Sequence, residues 1–244
     1  MIILHHLGLG DHIICNGMVR NICKNNHDMH HLFCKPHNED SVRFMFEDLN
    51  NLEIHIGYDE DAFNFAKKNE HIDIFEVGFS KLKSNSEIAF DEQFYQHAKM
   101  KFSVRWDDFY CNLKSRMANQ KEVFKYFKEK YDIKPKNYAF VHEDPSRNLN
   151  INYERVSKDL KIVKPELGLT DNIFDYYMLI NMSAEVHCID SSFKHVTESV
   201  LQDRPFAYLG VESLPDLFYH TYARGNDNIH VASSRLPWRR LKSA

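Results

Sequence analysis

The sequence predicts an α/β fold of two Rossmann-like halves with parallel sheets. Three observations carry this. Short apolar runs alternate with stretches of helical spacing near both ends of the chain. The spacing of those runs suits right-handed parallel crossovers. Between the two sets, Asp91 to Tyr131 has no glycine or proline and is rich in Phe, Tyr, Lys and Glu.

In the first half, Met1–Leu4 is a β-branched and apolar run. A glycine turn and a helical stretch follow, with Ile14, Met18 and Ile22 four residues apart. His31–Cys34 predicts a second strand, Glu39–Leu49 a helix, Leu52–Ile56 a strand, Asp59–Lys68 a helix, and His71–Val77 another strand. In the middle, Phe102, Trp106, Phe109, Tyr110 and Leu113 keep helical spacing and read as core or domain-bridging rather than a ligand platform. Asp132 to Asn137, with Pro135, breaks the pattern as a linker.

The second half predicts strands at Tyr138–His142, Lys161–Val163, Val186–Asp190 and Pro205–Leu209. One helix, capped by Thr170 or Asp171, carries Ile173, Phe174, Tyr177, Met178 and Ile180; another starts at Ser192. The domains expected are 1–132 and 133–244, facing across a cleft, with a C-terminal helix able to cross back. Ligands of such sheets bind at the carboxyl ends of strands.

The 244 residues are 43% hydrophobic and 27% charged, ordinary for a globular protein. A net charge of -4 gives no basic field, which argues against nucleic-acid binding. Cys15, Cys23, Cys34, Cys111 and Cys188 are scattered without a C-x-x-C pair, which points to a reducing, cytoplasmic setting. No apolar run approaches the roughly 20 residues of a membrane span. Met1–Leu4 lacks a basic lead and a cleavage site, and reads as a strand rather than a signal peptide.

Gly8-x-Gly10-Asp11 is an incomplete dinucleotide fingerprint, because Ile13 stands where a third glycine belongs and no acidic residue closes the second strand. This weakens an NAD- or S-adenosylmethionine-dependent reading. Asp11 is able to take a proton from a hydroxyl or to cap the following helix. Arg147 is suited to a phosphate or to a solvated loop. Asp190-Ser191-Ser192 leads straight from strand to helix, leaving N–H groups that suit an anion, or a plain serine cap. His195 lies between Asp190 and Glu198, either donating to a ligand or buried and satisfied. His27, His30, His31 and His37 lack ligand spacing, so no metal is expected.

The Gly10-Asp11 turn and the late Asp190-Ser191-Ser192-Phe193-Lys194-His195 turn together resemble GT-B glycosyltransferases of the heptosyltransferase-like family 9, with their "G-D" loop and "D-[ST]-G-x-x-H" turn. Asp190-x7-Glu198 is similar to the E-x7-E arrangement of other GT-B enzymes. The resemblance implies an inverting, metal-independent transferase, with a UDP- or GDP-linked sugar donor and a glycan hydroxyl as acceptor. It implies Asp11 as general base, with Gly8, Gly10 and His12 near the acceptor. Arg147, Ser191, Ser192 and His195 fall to the donor diphosphate, and Asp190 and Glu198 to its ribose or sugar. The nucleobase is expected near the stretch Ile162–Leu167, at that strand's end. Two departures stand out. Ser192 replaces a glycine, and Pro145-Ser146-Arg147-Asn148 stands where the family has Lys-x-Trp-Pro. A non-catalytic nucleotide-sugar or glycan-binding module is the alternative.

Overall fold

Strand β1 (Ile2–Leu4) is buried along its whole length, as the β-branched run at the start of the chain requires. It sits inside a four-stranded parallel sheet with β2 (His30–Cys34), β3 (Leu52–Ile56) and β4 (Ile74–Glu76), in the order β3-β2-β1-β4. The computed structural model describes residues 1–78, 88–201, 213–221 and 234–242. The chain divides into two units, Met1–Asn112 and Leu113–Ala244.

In the first unit the apolar spacing after β1 forms two helices, α1 (Leu9–Ile14) and α2 (Asn16–Asn25), which meet at Cys15. Ile14, Met18 and Ile22 are buried, as their four-residue spacing predicts. Helix α3 (Glu39–Met45) follows β2, and α4 (Asp59–Lys68) follows β3 with three carboxylates in its first turn, which suits the helix dipole. Ile2, Leu4, Leu7, Phe33 and Ala62 form one core cluster, with Phe65 and Ala66 of α4 packed against it.

The glycine-free middle is not one helical stretch. It forms α5 (Phe90–His97) and α6 (Val104–Asp107), then α7 (Met117–Tyr131) in the second unit. Lys99 interrupts it with φ 55°, a left-handed residue without a glycine to announce it. Phe102, Phe109, Tyr110 and Leu113 therefore lie outside helices, and only Trp106 of that stripe is in α6. The units part at Asn112, so α7, which falls within the expected 1–132 domain, packs on elements of the second unit. The segment Asp132–Asn137 is thus an internal break of the second unit, where Asp132 ends α7 at φ 48°.

The second sheet contains β5 (Tyr138–His142), β6 (Lys161–Val163), β7 (Glu185–Cys188), β8 (Asp216–Thr221) and β9 (Arg239–Lys242) in the order β6-β5-β7-β8-β9, all parallel. Helix α8 (Tyr177–Met182) precedes β7, and α9 (Ser192–Leu201) follows it. The turn before α8 is a 3-10 segment capped by Asn172, whose side chain accepts from the Phe174 N–H at 3.0 Å. Thr170 instead accepts from the Asn172 N–H and donates to Asp175, so neither Thr170 nor Asp171 is the cap. The expected strand Pro205–Leu209 lies outside the described residues. Near the C-terminal end the described residues form strand β9, and a helix crossing back, if placed at 222–233, lies outside the described residues. The five cysteines are thiols, four of them buried and Cys111 half-buried.

Candidate functional site

In each sheet the connections reverse direction at one pair of neighbouring strands, β1/β4 in the first unit and β5/β7 in the second. Open α/β sheets take ligands beyond the carboxyl ends of such a pair, where the diverging loops leave a crevice.

Beyond β1, the chain reaches Gly8 as the N-cap of α1. Gly10, Asp11 and His12 therefore belong to the helix, not to an open loop. A side chain at position 8 would place its Cβ 2.5 Å from Asp11 Oδ2, so the glycine is what lets the carboxylate fold back. Asp11 stands third from the cap, where a carboxylate complements the helix start. It is half-buried, while His12 is wholly buried with its ring edge-on to His5 at 4.5 Å. Burial, then His5 and Lys35, hold the His12 pKa well below its ordinary value, so the ring is neutral.

Beyond β5 and β7, the register sets His142 beside Cys188. His142 Nδ1 lies 2.9 Å from Ser191 Oγ, and its ring rests on Phe193 at 4.6 Å. Burial brings the His142 pKa down to about 4, so it meets Ser191 as a neutral imidazole. Ser191 and Ser192 lead into the ten-residue helix α9, and the Ser191 carbonyl accepts from the His195 N–H at 3.2 Å.

Along α9, Lys194 Nζ lies 3.2 Å from Glu198 Oε1 and 3.9 Å from Asp190 Oδ1. His195 lies 3.5 Å from Glu198 and 3.7 Å from Asp190. The side chains of Lys194 and Glu198 are each 1% exposed, whereas Asp190 is 37% exposed and meets solvent. Burial, then Lys194, lowers the His195 pKa and favours its neutral imidazole. An anion at this end of the sheet would meet the N–H groups at the start of α9.

Arg147 lies in a 3-10 turn after β5, is 60% exposed, and bonds Asp144 through Nε at 2.5 Å. Glu143 accepts from Lys164 and the Tyr153 hydroxyl at 2.6 Å each and from the Ile151 N–H at 3.1 Å. Burial pushes the Glu143 carboxyl up, but Lys164 and Tyr153 overcome it, so the carboxyl sits below its usual range. In the Ile162–Leu167 stretch, Ile162 of β6 and Leu167 in the turn after it are exposed apolar side chains.

The structure thus brings Asp190, Ser191, Ser192, His195 and Glu198 to one end of the second sheet, with Arg147 in the turn that follows the neighbouring strand β5. Asp11 and its glycines belong to the first unit. Two further residues at the second sheet carry no signal in the sequence. His142 is an ordinary strand residue until register pairs it with β7, and Lys194 looks like a solvated helix lysine. Among the early histidines, His27 and His37 are exposed and His30 Nε2 bonds the Asn26 carbonyl at 3.2 Å.

Two parallel-sheet units with a turn motif beyond a switch point in each define a double-Rossmann α/β protein. Among solved structures, the glycosyl transferase family 9 from Veillonella parvula DSM 2008 is similar to this chain, with a TM-score of 0.57 and 8% sequence identity over 99% of this chain and 86% of that one. The likeness is one of fold. No protein-family model and no curated protein sequence matches. Among the described residues, no helix is long and apolar enough to cross a membrane.

Proposed function

We propose that this protein is an inverting glycosyltransferase that moves a sugar from a nucleoside-diphosphate donor, UDP- or GDP-linked, to a glycan hydroxyl without a catalytic metal. The observation that carries the reading is the position of Asp190-Ser191-Ser192, beyond β7 at the β5/β7 switch point and at the start of α9. A diphosphate there would accept from backbone N–H groups at the positive end of the helix dipole. The similarity in fold to a family 9 glycosyltransferase agrees with it.

In this reading Arg147 exchanges Asp144 for a phosphate oxygen, and the helix start stabilises the charge that grows on the leaving group. Asp190 contacts the ribose or sugar, with Lys194 at 3.9 Å and His195 at 3.7 Å to position it. His195 and Glu198, both buried, take positioning roles in place of the diphosphate and ribose contacts that the resemblance implies for them. Ile162 and Leu167 offer apolar surface to the nucleobase. In the first unit, Asp11 takes the proton of the acceptor hydroxyl. The acceptor oxygen then bonds the anomeric carbon as the bond to the diphosphate breaks, and the nucleoside diphosphate leaves with the electron pair. The thiols suit a reducing, cytoplasmic setting.

A thermal-shift panel of UDP, GDP, ADP, CMP, NAD and S-adenosylmethionine tests the reading. One nucleoside diphosphate is expected to raise Tm, since a ligand that binds only the folded state stabilises it. Stabilisation by NAD or S-adenosylmethionine alone would overturn it. Binding without sugar transfer to any glycan tried would instead leave a nucleotide-sugar-binding module.

A further inference from the structure

In the first sheet, parallel register pairs His31 with Glu53 and Phe33 with His55. Residues two apart on a strand share a face, so these four side chains project together. His31 Nδ1 lies 3.0 Å from His55 Nε2 and 3.4 Å from Glu53 Oε2, and His55 Nε2 lies 3.6 Å from the same carboxylate oxygen. An ion bound at roughly 2.0–2.2 Å by tetrahedral ligands sets those ligands about 3.3 Å apart, in the middle of the observed range.

Packing aims the rings. The His55 ring stacks on Phe33 at 4.9 Å with 19° between the planes. Phe65 of α4 lies 5.0 Å from the His31 ring and 4.7 Å from the His55 ring. His31 is buried, whereas the Glu53 side chain is 57% exposed, so the trio opens to solvent on one side. Two imidazoles and one carboxylate with an open side form the donor set of a three-ligand zinc site that keeps water in its fourth position. Nitrogen donors favour zinc and its transition-metal neighbours over magnesium or calcium, which prefer oxygen.

We propose that His31, Glu53 and His55 bind one zinc-class divalent cation that ties the edge strand β3 to β2. The trio lies on the face of the sheet covered by α4, and the ion takes no part in sugar transfer. Without an ion, the same contacts reduce to an imidazole–imidazole hydrogen bond beside a carboxylate, so the competing account is a plain polar cluster.

The test is zinc titration of the metal-stripped full chain by calorimetry, followed by cobalt(II) substitution and visible spectroscopy. One equivalent is expected to bind, with cobalt giving the intense absorption of a low-coordinate nitrogen and oxygen site. His55→Gln should lose that spectrum and weaken binding at least about tenfold. Glu53→Gln should weaken it by a smaller factor. Zinc should raise the Tm of the unaltered chain, reversibly by chelator, and leave the Tm of His55→Gln unmoved. The chain has 15 histidines, so a His27→Ala/His37→Ala double variant serves as control and should bind like the unaltered chain. Absence of a stoichiometric site, or undiminished binding in a folded His55→Gln variant, would overturn the proposal. If His55→Gln does not fold, unaltered cobalt absorption in Glu53→Gln would do the same.

Discussion

His187 Nδ1 and His220 Nε2 lie 2.9 Å apart in the core of the second unit, and the direction of the bond between them is fixed from both ends. The Asn152 N–H can only donate, so His220 Nδ1 accepts it at 3.2 Å and the His220 proton sits on Nε2. His187 Nδ1 must then accept, which puts its proton on Nε2, 2.9 Å from the Glu185 carboxylate. Glu185 also accepts from the Ser157 hydroxyl and N–H, so the chain closes with every member partnered. Replacing His220 with Phe would orphan both the Asn152 N–H and His187 Nδ1. A loss of about 3 kcal/mol is expected, measurable by urea unfolding. A loss under about 1 kcal/mol would contradict the relay.

Acid should unfold the protein earlier than its carboxylates alone would dictate. Burial is the main cause that brings the pKa values of His5, His142 and His220 each to about 4. An unfolded histidine titrates near roughly 6.5. From there down to about pH 4 the unfolded chain binds protons that the folded chain refuses. Their contribution is therefore fully present above pH 6.5 and lost as pH falls toward 4. Tm measured from pH 7 to 4 should fall throughout that window. A flat profile down to pH 4.5 would rule out buried neutral histidines.

Two glycines should respond differently to alanine. A Cβ on Gly17 would lie 2.2 Å from the Val104 carbonyl oxygen and 3.0 Å from that of Arg105. Backbone cannot move aside without separating α2 from α6, so Gly17→Ala should cost about 2–3 kcal/mol. Gly8→Ala meets only the far end of the Asp11 side chain, which can rotate away. Its effect should fall on activity more than on stability, as paired unfolding and transfer assays would show.

The proposed chemistry divides between Asp11 and Arg147. Asp11→Asn should reduce transfer at least about a hundredfold, within the range of general-base contributions, while donor binding stays nearly unchanged. Arg147→Ala should weaken nucleotide affinity instead. Full transfer in the first variant, or unchanged affinity in the second, would remove the assigned role.

Lys194 and Glu198 form a buried ion pair at 3.2 Å. Lys194→Met breaks this buried pair and should cost about 3 kcal/mol. The double variant Lys194→Met/Glu198→Leu should recover much of that loss. If the double variant is as unstable as the single one, the pair is not the source of the effect.

Most strand and helix positions were legible because apolar periodicity reports burial directly. Leu52–Ile56, Asp59–Lys68, Tyr138–His142 and Lys161–Val163 fall where the spacing puts them. Strand β9, Arg-Arg-Leu-Lys, was not legible, because an edge strand need not be apolar and charges there discourage further pairing. The turn at Lys99 carried no glycine signal. In the candidate sites, the serine and aspartate turns could be read from the chain. His142 beside Ser191 and His31 beside His55 could not, since only strand register brings such residues together.

The strand orders carry one more consequence. Strands β2-β1-β4 of the first unit and β6-β5-β7 of the second are the same three-strand kernel in the same order, each strand taken up in the same sequence. The first unit adds β3 as an extra excursion beyond β2, and the second grows on the other side through β8 and β9. The Asp11 turn follows the opening strand of its kernel, whereas Asp190-Ser191-Ser192 follows the closing strand of the other. Any ancestral duplication of the kernel would therefore have specialised different crossovers in its two copies, and exchanging kernels between units would misplace both motifs.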